Sequence, residues 1–241
     1  MKHFIRSYIK KKLLAFLKMM RQTIVEYLTW LIDKFKYPEV NPELELLYFN
    51  SKGLAECSRQ MLQYKDINFT DTRINKERFD EIKESLPYGQ VPILHIDDET
   101  VAQSKAIARY VGKLARVYPQ KNILHAAFVD EWMELHTEFM FPLALNMYPE
   151  KYGLKWSDTQ KKEHRKWCIQ SHITKYMTYI NNELECNKFL GGMDSVSCAD
   201  FCWVATLEWL MSGVFDGITQ EFFDDYDFIR IYILTFNTET S

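Results

Sequence analysis

The sequence predicts a mixed α/β sheet domain followed by an all-helical domain. Short apolar runs alternate with helix-length amphipathic runs between Glu43 and Leu114. The last two strand-like runs of that stretch are close enough to form a hairpin. From Asn122 onward only helical periodicity remains. Strands that alternate with helices and then end in a hairpin give a mixed sheet with helices on its faces.

Length and charge bound the reading. The 241 residues, 47% of them hydrophobic, supply a sizeable core and suit one large domain or two small ones. The net charge is −3. Residues 1–37 carry nine basic and two acidic side chains, about +7, so the remainder is about −10. An acidic main body argues against nucleic-acid binding. The five cysteines, Cys57, Cys168, Cys186, Cys198 and Cys202, are odd in number and form no Cys-x-x-Cys. They read as reduced thiols in a reducing compartment. No uncharged apolar run is long enough for an ordinary transmembrane helix.

Residues 1–42 are expected to be an extension and linker. Leu13, Leu17, Met20, Ile24, Leu28, Leu31 and Phe35 step by three or four and make one apolar stripe. Lys11, Lys18, Gln22, Glu26, Thr29 and Asp33 fall opposite. The first 25 residues contain seven basic side chains and no acid. A mitochondrial transit segment, a helix on a membrane surface, a docking helix for a partner protein and a helix packed on its own domain all fit that pattern. The corresponding locations are cytoplasmic or mitochondrial, in the latter case peripheral to a membrane. Pro38-Glu-Val-Asn-Pro42 cannot continue a helix and sets the domain boundary.

The elements then follow in order. Glu43–Phe49 is a strand, Gly53 opens a helix to about Tyr64, and Ile67–Arg73 is a second strand. Glu77–Leu86 is a helix stopped by Pro87-Tyr88-Gly89. Val91–Ile96 and Thr100–Ala102 are strands around the turn Asp97-Asp98-Glu99, and Ser104–Leu114 is a helix. This sheet domain spans 43–118. The helical domain, 119–241, holds Ile123–Tyr148, Asp158–Cys186 and Ala199–Ser212. Ser197-x-x-Asp200 forms a capping box variant, with Val196 and Phe201 as its staple. Ile229–Leu234 is an apolar run that suits a strand or a helix.

A ligand site is expected where Val91-Pro92 meets Gln103-Ser104. X-Pro is the one common cis linkage. A cis bond there would leave the Val91 N–H and C=O outward, ready to hold an extended peptide-like ligand. Gln103-Ser104 falls at a helix start, whose free N–H groups and dipole hold a carboxylate. The predicted ligand is a small peptide that carries a carboxylate. The six histidines show no metal-ligand spacing, and there is no phosphate-binding loop.

Four motifs carry a family resemblance. They are Leu47-Tyr48-Phe49-Asn50-Ser51-Lys52-Gly53-Leu54-Ala55-Glu56, Leu86-Pro87-Tyr88-Gly89-Gln90-Val91-Pro92-Ile93-Leu94, Gln103-Ser104-x-Ala106-Ile107-Ala108-Arg109-Tyr110 and Ser195-Val196-Ser197-Cys198-Ala199-Asp200. In order and spacing the chain from 43 to 230 resembles the glutathione transferases, most closely their sigma class. The resemblance implies a thioredoxin-like N-terminal domain that carries glutathione, a glutathione-transferase-type helical C-terminal domain, and a homodimer. It implies transfer of the glutathione thiol to a small electrophile or peroxide, or isomerisation. Tyr48 matches the catalytic tyrosine, whose hydroxyl would donate to the glutathione sulfur and favour the thiolate. Gln103 and Ser104 match the γ-glutamyl carboxylate site, and Val91 with Pro92 the main-chain contact. Lys83 matches a lysine that reaches the glycine carboxylate. Glu138 matches an acidic residue lent across the dimer. Phe49, Leu54, Met140, Cys202 and Thr206 match positions that line the acceptor pocket.

Three departures weaken that inheritance. Leu54 stands where an arginine is usual, Phe79 where a tryptophan is usual, and Gln90 where a lysine is usual. A charge-assisted hydrogen bond contributes about 1.5–3 kcal/mol, so two missing cations predict glutathione binding weaker by about 100-fold or more unless Lys52 or Lys105 compensates. These departures and the basic extension also fit a second function. The chain would then be a non-catalytic, transferase-like subunit of a larger assembly at a mitochondrial membrane.

Overall fold

A computed structural model describes residues 42–241, together with Lys18, Met20, Arg21, Thr23, Ile24, Val25, Tyr27 and Leu28. The chain divides into two compact units, Met1–Pro42 and Glu43–Ser241. In the first, the eight described residues are helical and their side chains are exposed. The other members of the expected stripe, Leu13, Leu17, Leu31 and Phe35, lie outside the described residues, as does the break from Pro38 to Asn41.

The second unit opens on a four-stranded sheet. Its strands are β1 (Leu44–Phe49), β2 (Thr70–Ile74), β3 (Ile93–Ile96) and β4 (Glu99–Ala102), in the order β2-β1-β3-β4. β1 runs parallel to β2 and antiparallel to β3, and β3 and β4 form the expected hairpin. The β1–β2 crossover carries α1 (Glu56–Tyr64), as parallel neighbours require. α2 (Lys76–Ile82) and α3 (Ser104–Leu114) complete the thioredoxin-like arrangement.

β1 is apolar on both faces because the sheet is covered on both. Leu44, Leu46 and Tyr48 join the main core with Met61 and Leu62 of α1 and Ile107 and Val111 of α3. Leu47 points the other way, into a small cluster with Ile74 and Ile93 that Phe79 and Ile82 cover in part. α2 buries no residue fully, so this second face is thinly sealed.

The helical part contains α4 (Ile123–Met147), α5 (Asp158–Trp167), α6 (Thr174–Cys186), α7 (Cys198–Met211) and α8 (Asp227–Thr240). The single helix expected over Asp158–Cys186 is two helices joined by a π turn, Cys168–Ile173. Thr174 Oγ1 donates to the Ile169 carbonyl at 2.9 Å, five residues back, which matches the wider turn. The Ile229–Leu234 run settles as helix. Ile229, Tyr232, Ile233 and Phe236 are its buried residues, and their spacing is helical.

α7 is the centre of this part. It is buried nearly all round, and it packs against α1, α3, α4 and α8. Its first turn is anchored by Asp200, whose carboxylate accepts from Leu190 N (3.0 Å), Ser197 N (2.7 Å), Ser197 Oγ (2.8 Å) and Tyr232 Oη (2.7 Å). The staple partners Val196 and Phe201 are both buried. Asp200 is fully buried, and removing its carboxylate orphans several buried donors at once. Asp200→Ala is therefore expected to cost about 3 kcal/mol or more in urea unfolding.

α3, α4 and α7 meet at His136. The Lys105 ammonium donates to its Nδ1 at 2.8 Å, which leaves Nε2–H to donate to Thr206 Oγ1 at 2.7 Å. Burial, and then the Lys105 charge, hold the imidazole well below its ordinary pKa. The folded chain therefore keeps His136 neutral where the unfolded chain takes up a proton. Stability from this source is complete above the unfolded histidine value of about 6.5 and is lost as pH falls below it. Thermal or urea unfolding should show a slope of up to about 1.4 kcal/mol per pH unit below about pH 6.5 that His136→Gln removes.

Candidate functional site

The site is built by strand register. Leu47 of β1 stands opposite Ile93 of β3, and Ile93 stands opposite Ala102 of β4. Tyr48 lies one residue beyond this row on β1, Val91-Pro92 just beyond it on β3, and Gln103-Ser104 just beyond it on β4. Three stretches distant in sequence thus end together at one edge of the sheet. On the other side Phe49 stands opposite Ile74, which brings the start of α2 to the same end.

Tyr48 is 8% exposed. Its hydroxyl accepts a hydrogen bond from the Leu54 main-chain N–H at 3.3 Å. No acceptor for its own O–H proton is found among the described residues. Burial raises its pKa despite the Leu54 N–H and the nearby Arg59 guanidinium, so the phenol stays protonated at neutral pH. The loop over it needs Gly53. That residue has φ +45°, and a Cβ there would stand 2.7 Å from the Tyr48 hydroxyl oxygen.

Arg59 holds that loop in place. It is fully buried, and its guanidinium sits 5.8 Å from the Tyr48 ring centre. Nη1 donates to the Ser51 carbonyl (2.9 Å), the Lys52 carbonyl (3.2 Å) and Glu56 (3.3 Å), and Nε donates to Asp71 (2.9 Å). Arg59 was not among the expected site residues. Its signal was a basic residue at an apolar helix position three residues after Glu56.

The Val91–Pro92 peptide is cis. No hydrogen bond to the Val91 N–H or C=O is found among the described residues. Gln103 has φ +74° and gives α3 no side-chain cap, so the first-turn N–H groups of that helix lack a capping partner. Gln103 Nε2 reaches Gln90 Oε1 at 3.4 Å, which joins the two halves of the expected ligand site. Lys83 is exposed in a 3₁₀ turn, and its side chain passes Gly89, where an added Cβ would lie 3.5 Å from Lys83 Cγ. Phe79 is half-buried and packs on Phe49 with ring centres 5.2 Å apart.

Other expected residues sit elsewhere or are otherwise engaged. Glu138 is exposed on α4, accepts from Tyr176 Oη at 2.5 Å, and lines an open cleft of about 620 Å³ with Glu134, Thr137, Phe141, Pro142 and His172. Asp130 and Glu134, on the same helix, are both bridged by Arg109 at 2.6 Å. Lys105 turns inward to His136 and does not replace a missing cation at the sheet edge. Cys202 and Thr206 are buried and already partnered, so they line no open surface, whereas Leu54 is 44% exposed.

Residues 44–113 match the family model "Glutathione S-transferase, N-terminal domain". The chain is 31% identical over 167 residues to the hematopoietic prostaglandin D synthase of Homo sapiens, which covers 67% of this chain and 76% of that protein. It is 30% identical over 176 residues to S-crystallin SL11 of Nototodarus sloanii, covering 69% and 80%. Among solved structures, that of prostaglandin synthase D of Nilaparvata lugens aligns with a TM-score of 0.71 at 27% identity, over 83% of this chain and 95% of that one. With the thioredoxin-like sheet, the helical part behind it and these relatives in agreement, the chain belongs to the glutathione S-transferase family.

Proposed function

We propose that this chain binds glutathione at the sheet edge and activates its thiol for transfer to a small electrophile or peroxide, in the manner of a sigma-class enzyme. The observation that carries this reading is the convergence of three unspent groups. They are the Tyr48 O–H proton, the Val91 main-chain pair and the uncapped first turn of α3. Glutathione brings a nucleophilic sulfur and two carboxylates. Val91 would hold its cysteine as an added strand, and Ser104 with the α3 N–H groups would hold the γ-glutamyl carboxylate. Gln90 and Gln103 would line the pocket between them, Phe79 would close its apolar side, and Lys83 would reach the glycine carboxylate. Tyr48, kept protonated by burial, would donate to the sulfur and favour its thiolate. Glu138 is proposed to act across a homodimer, in the partner's site.

The Leu54 N–H adds to this effect. By donating to the phenol oxygen it makes the Tyr48 O–H a stronger donor. That main-chain contact partly replaces the usual arginine. Of the two lysines that could compensate for the missing cations, Lys105 is spent on His136, which leaves Lys52.

A second reading, a non-catalytic subunit of a larger assembly at a membrane, is favoured by the exposed apolar residues Met20, Ile24 and Leu28 on a basic extension. One experiment separates the two. The wild-type chain is expected to be retained on immobilised glutathione and to show thiolate absorbance of bound glutathione at neutral pH. Tyr48→Phe should still be retained but lose the thiolate signal, with conjugation slower by about tenfold to a hundredfold. Wild-type protein that is neither retained nor able to form thiolate would reject the enzyme reading and leave the subunit reading.

A further inference from the structure

Behind the sheet edge the structure holds a second group of reactive side chains. Cys57 on α1 and Cys202 on α7 place their sulfurs 2.8 Å apart. Both are buried, at 7% and 3% exposed, and both are free thiols. Cys57 Sγ also lies 3.7 Å from the Cys198 carbonyl. Gly112 lets α3 pack close to α7 beside this pair, since a Cβ there would meet Cys198 Cβ at 3.0 Å. Lys105, fixed by its 2.8 Å bond to His136, lies beside Cys202. A half-buried lysine against a buried thiol pair is unlike ordinary core packing.

We propose that Cys57 and Cys202 form a reversible disulfide, made by a small hydroperoxide and broken by a free thiol, that bolts α1 to α7. The assignment does not depend on glutathione binding at Tyr48. Two features single out this pair among the five cysteines. The two sulfurs are already in contact, and a fixed cation faces one of them. The Cys57 S–H, and then Lys105, favour the thiolate at Cys202, whereas burial pushes Cys57 and Cys198 up and Cys168 to about 11. Cys202 is therefore the attacking sulfur and Cys57 the resolving one.

The chemistry closes without another reactant. The Cys202 thiolate attacks one oxygen of hydrogen peroxide, the O–O bond breaks and hydroxide leaves, which gives a sulfenic acid at Cys202. The Cys57 sulfur then attacks the Cys202 sulfur, the S–O bond breaks and a second hydroxide leaves. The protons of the two original thiols convert both hydroxides to water. Two electrons pass from the thiol pair to the peroxide. Two equivalents of a free thiol such as glutathione reverse the bond by exchange and leave as their own disulfide. The link would fix α1, and with it the Arg59 clamp on the loop over Tyr48.

The test uses the full chain in a Cys186→Ser background, which removes the exposed thiol. After limited hydrogen peroxide and denaturation, the thiol titre should fall from four to two. A non-reduced digest should contain one linked peptide pair, Cys57 with Cys202, and glutathione should restore both thiols. Lys105→Met should slow the bond by about tenfold at neutral pH, the effect of about one pKa unit on thiolate content. In Cys57→Ser, peroxide treatment followed by unfolding in dimedone should label Cys202. A titre that stays at four, a linked pair other than Cys57–Cys202, or an unchanged rate in Lys105→Met would overturn the proposal. The digest uses native cysteines at both positions, so it reads the same even if a variant folds poorly.

Discussion

The register that sets Leu47 against Ile93 and Ile93 against Ala102 is the constraint on which the rest depends. A slip of one residue would turn every side chain of a strand to the opposite face. Tyr48 would then leave the core side and Leu47 would enter it. The register is specified because Leu44, Leu46 and Tyr48 face the main core, and a slip of one residue would carry the charged Glu45 into it. Tyr48 near the end of β1, Val91-Pro92 just before β3 and Gln103-Ser104 just after β4 need no further placement.

Rigidity at this edge comes from behind. α7 is buried nearly all round and gives α1 a solid surface to lie on. α1 in turn carries Arg59, which ties the carbonyls of Ser51 and Lys52 down over Tyr48. One Arg59 nitrogen, Nη2, is buried without a partner among the described residues. The guanidinium is thus retained at a desolvation cost, which the contacts of its other nitrogens and the Tyr48 ring offset. The helical part, through α7 and α1, thereby holds a phenol on the sheet. The same contact brings Cys57 to Cys202.

Much of this was legible in the sequence. Alternation and length gave the mixed sheet and the helical part, and the motifs around Tyr48, Pro92 and Gln103 marked the edge. These are local signals, carried by turn chemistry and strand period. What escaped was long-range and depended on side-chain direction. Lys105 follows Ser104 directly, yet its ammonium turns inward to His136, 31 residues on. Arg59 and Cys57 lie on a helix face whose partners are set by how α1 packs on α7. The π turn after Trp167 was invisible because the apolar spacing runs through it with little change. Glu138 matched a family position, but its contact with Tyr176 depends on how α4 and α6 pack together.

Main-chain groups at the sheet edge are proposed to hold a tripeptide. The most direct measurement is a titration of isotopically labelled protein with S-methylglutathione, following the amide resonances of Val91 and Ser104. The alkylated sulfur removes any contribution from thiolate formation, so the readout is binding alone. Saturable shifts are expected at both amides, with smaller changes at Thr137 and Glu138 in the separate α4 cleft. Shifts centred on that cleft, or none at Val91 and Ser104 at saturating ligand, would contradict it.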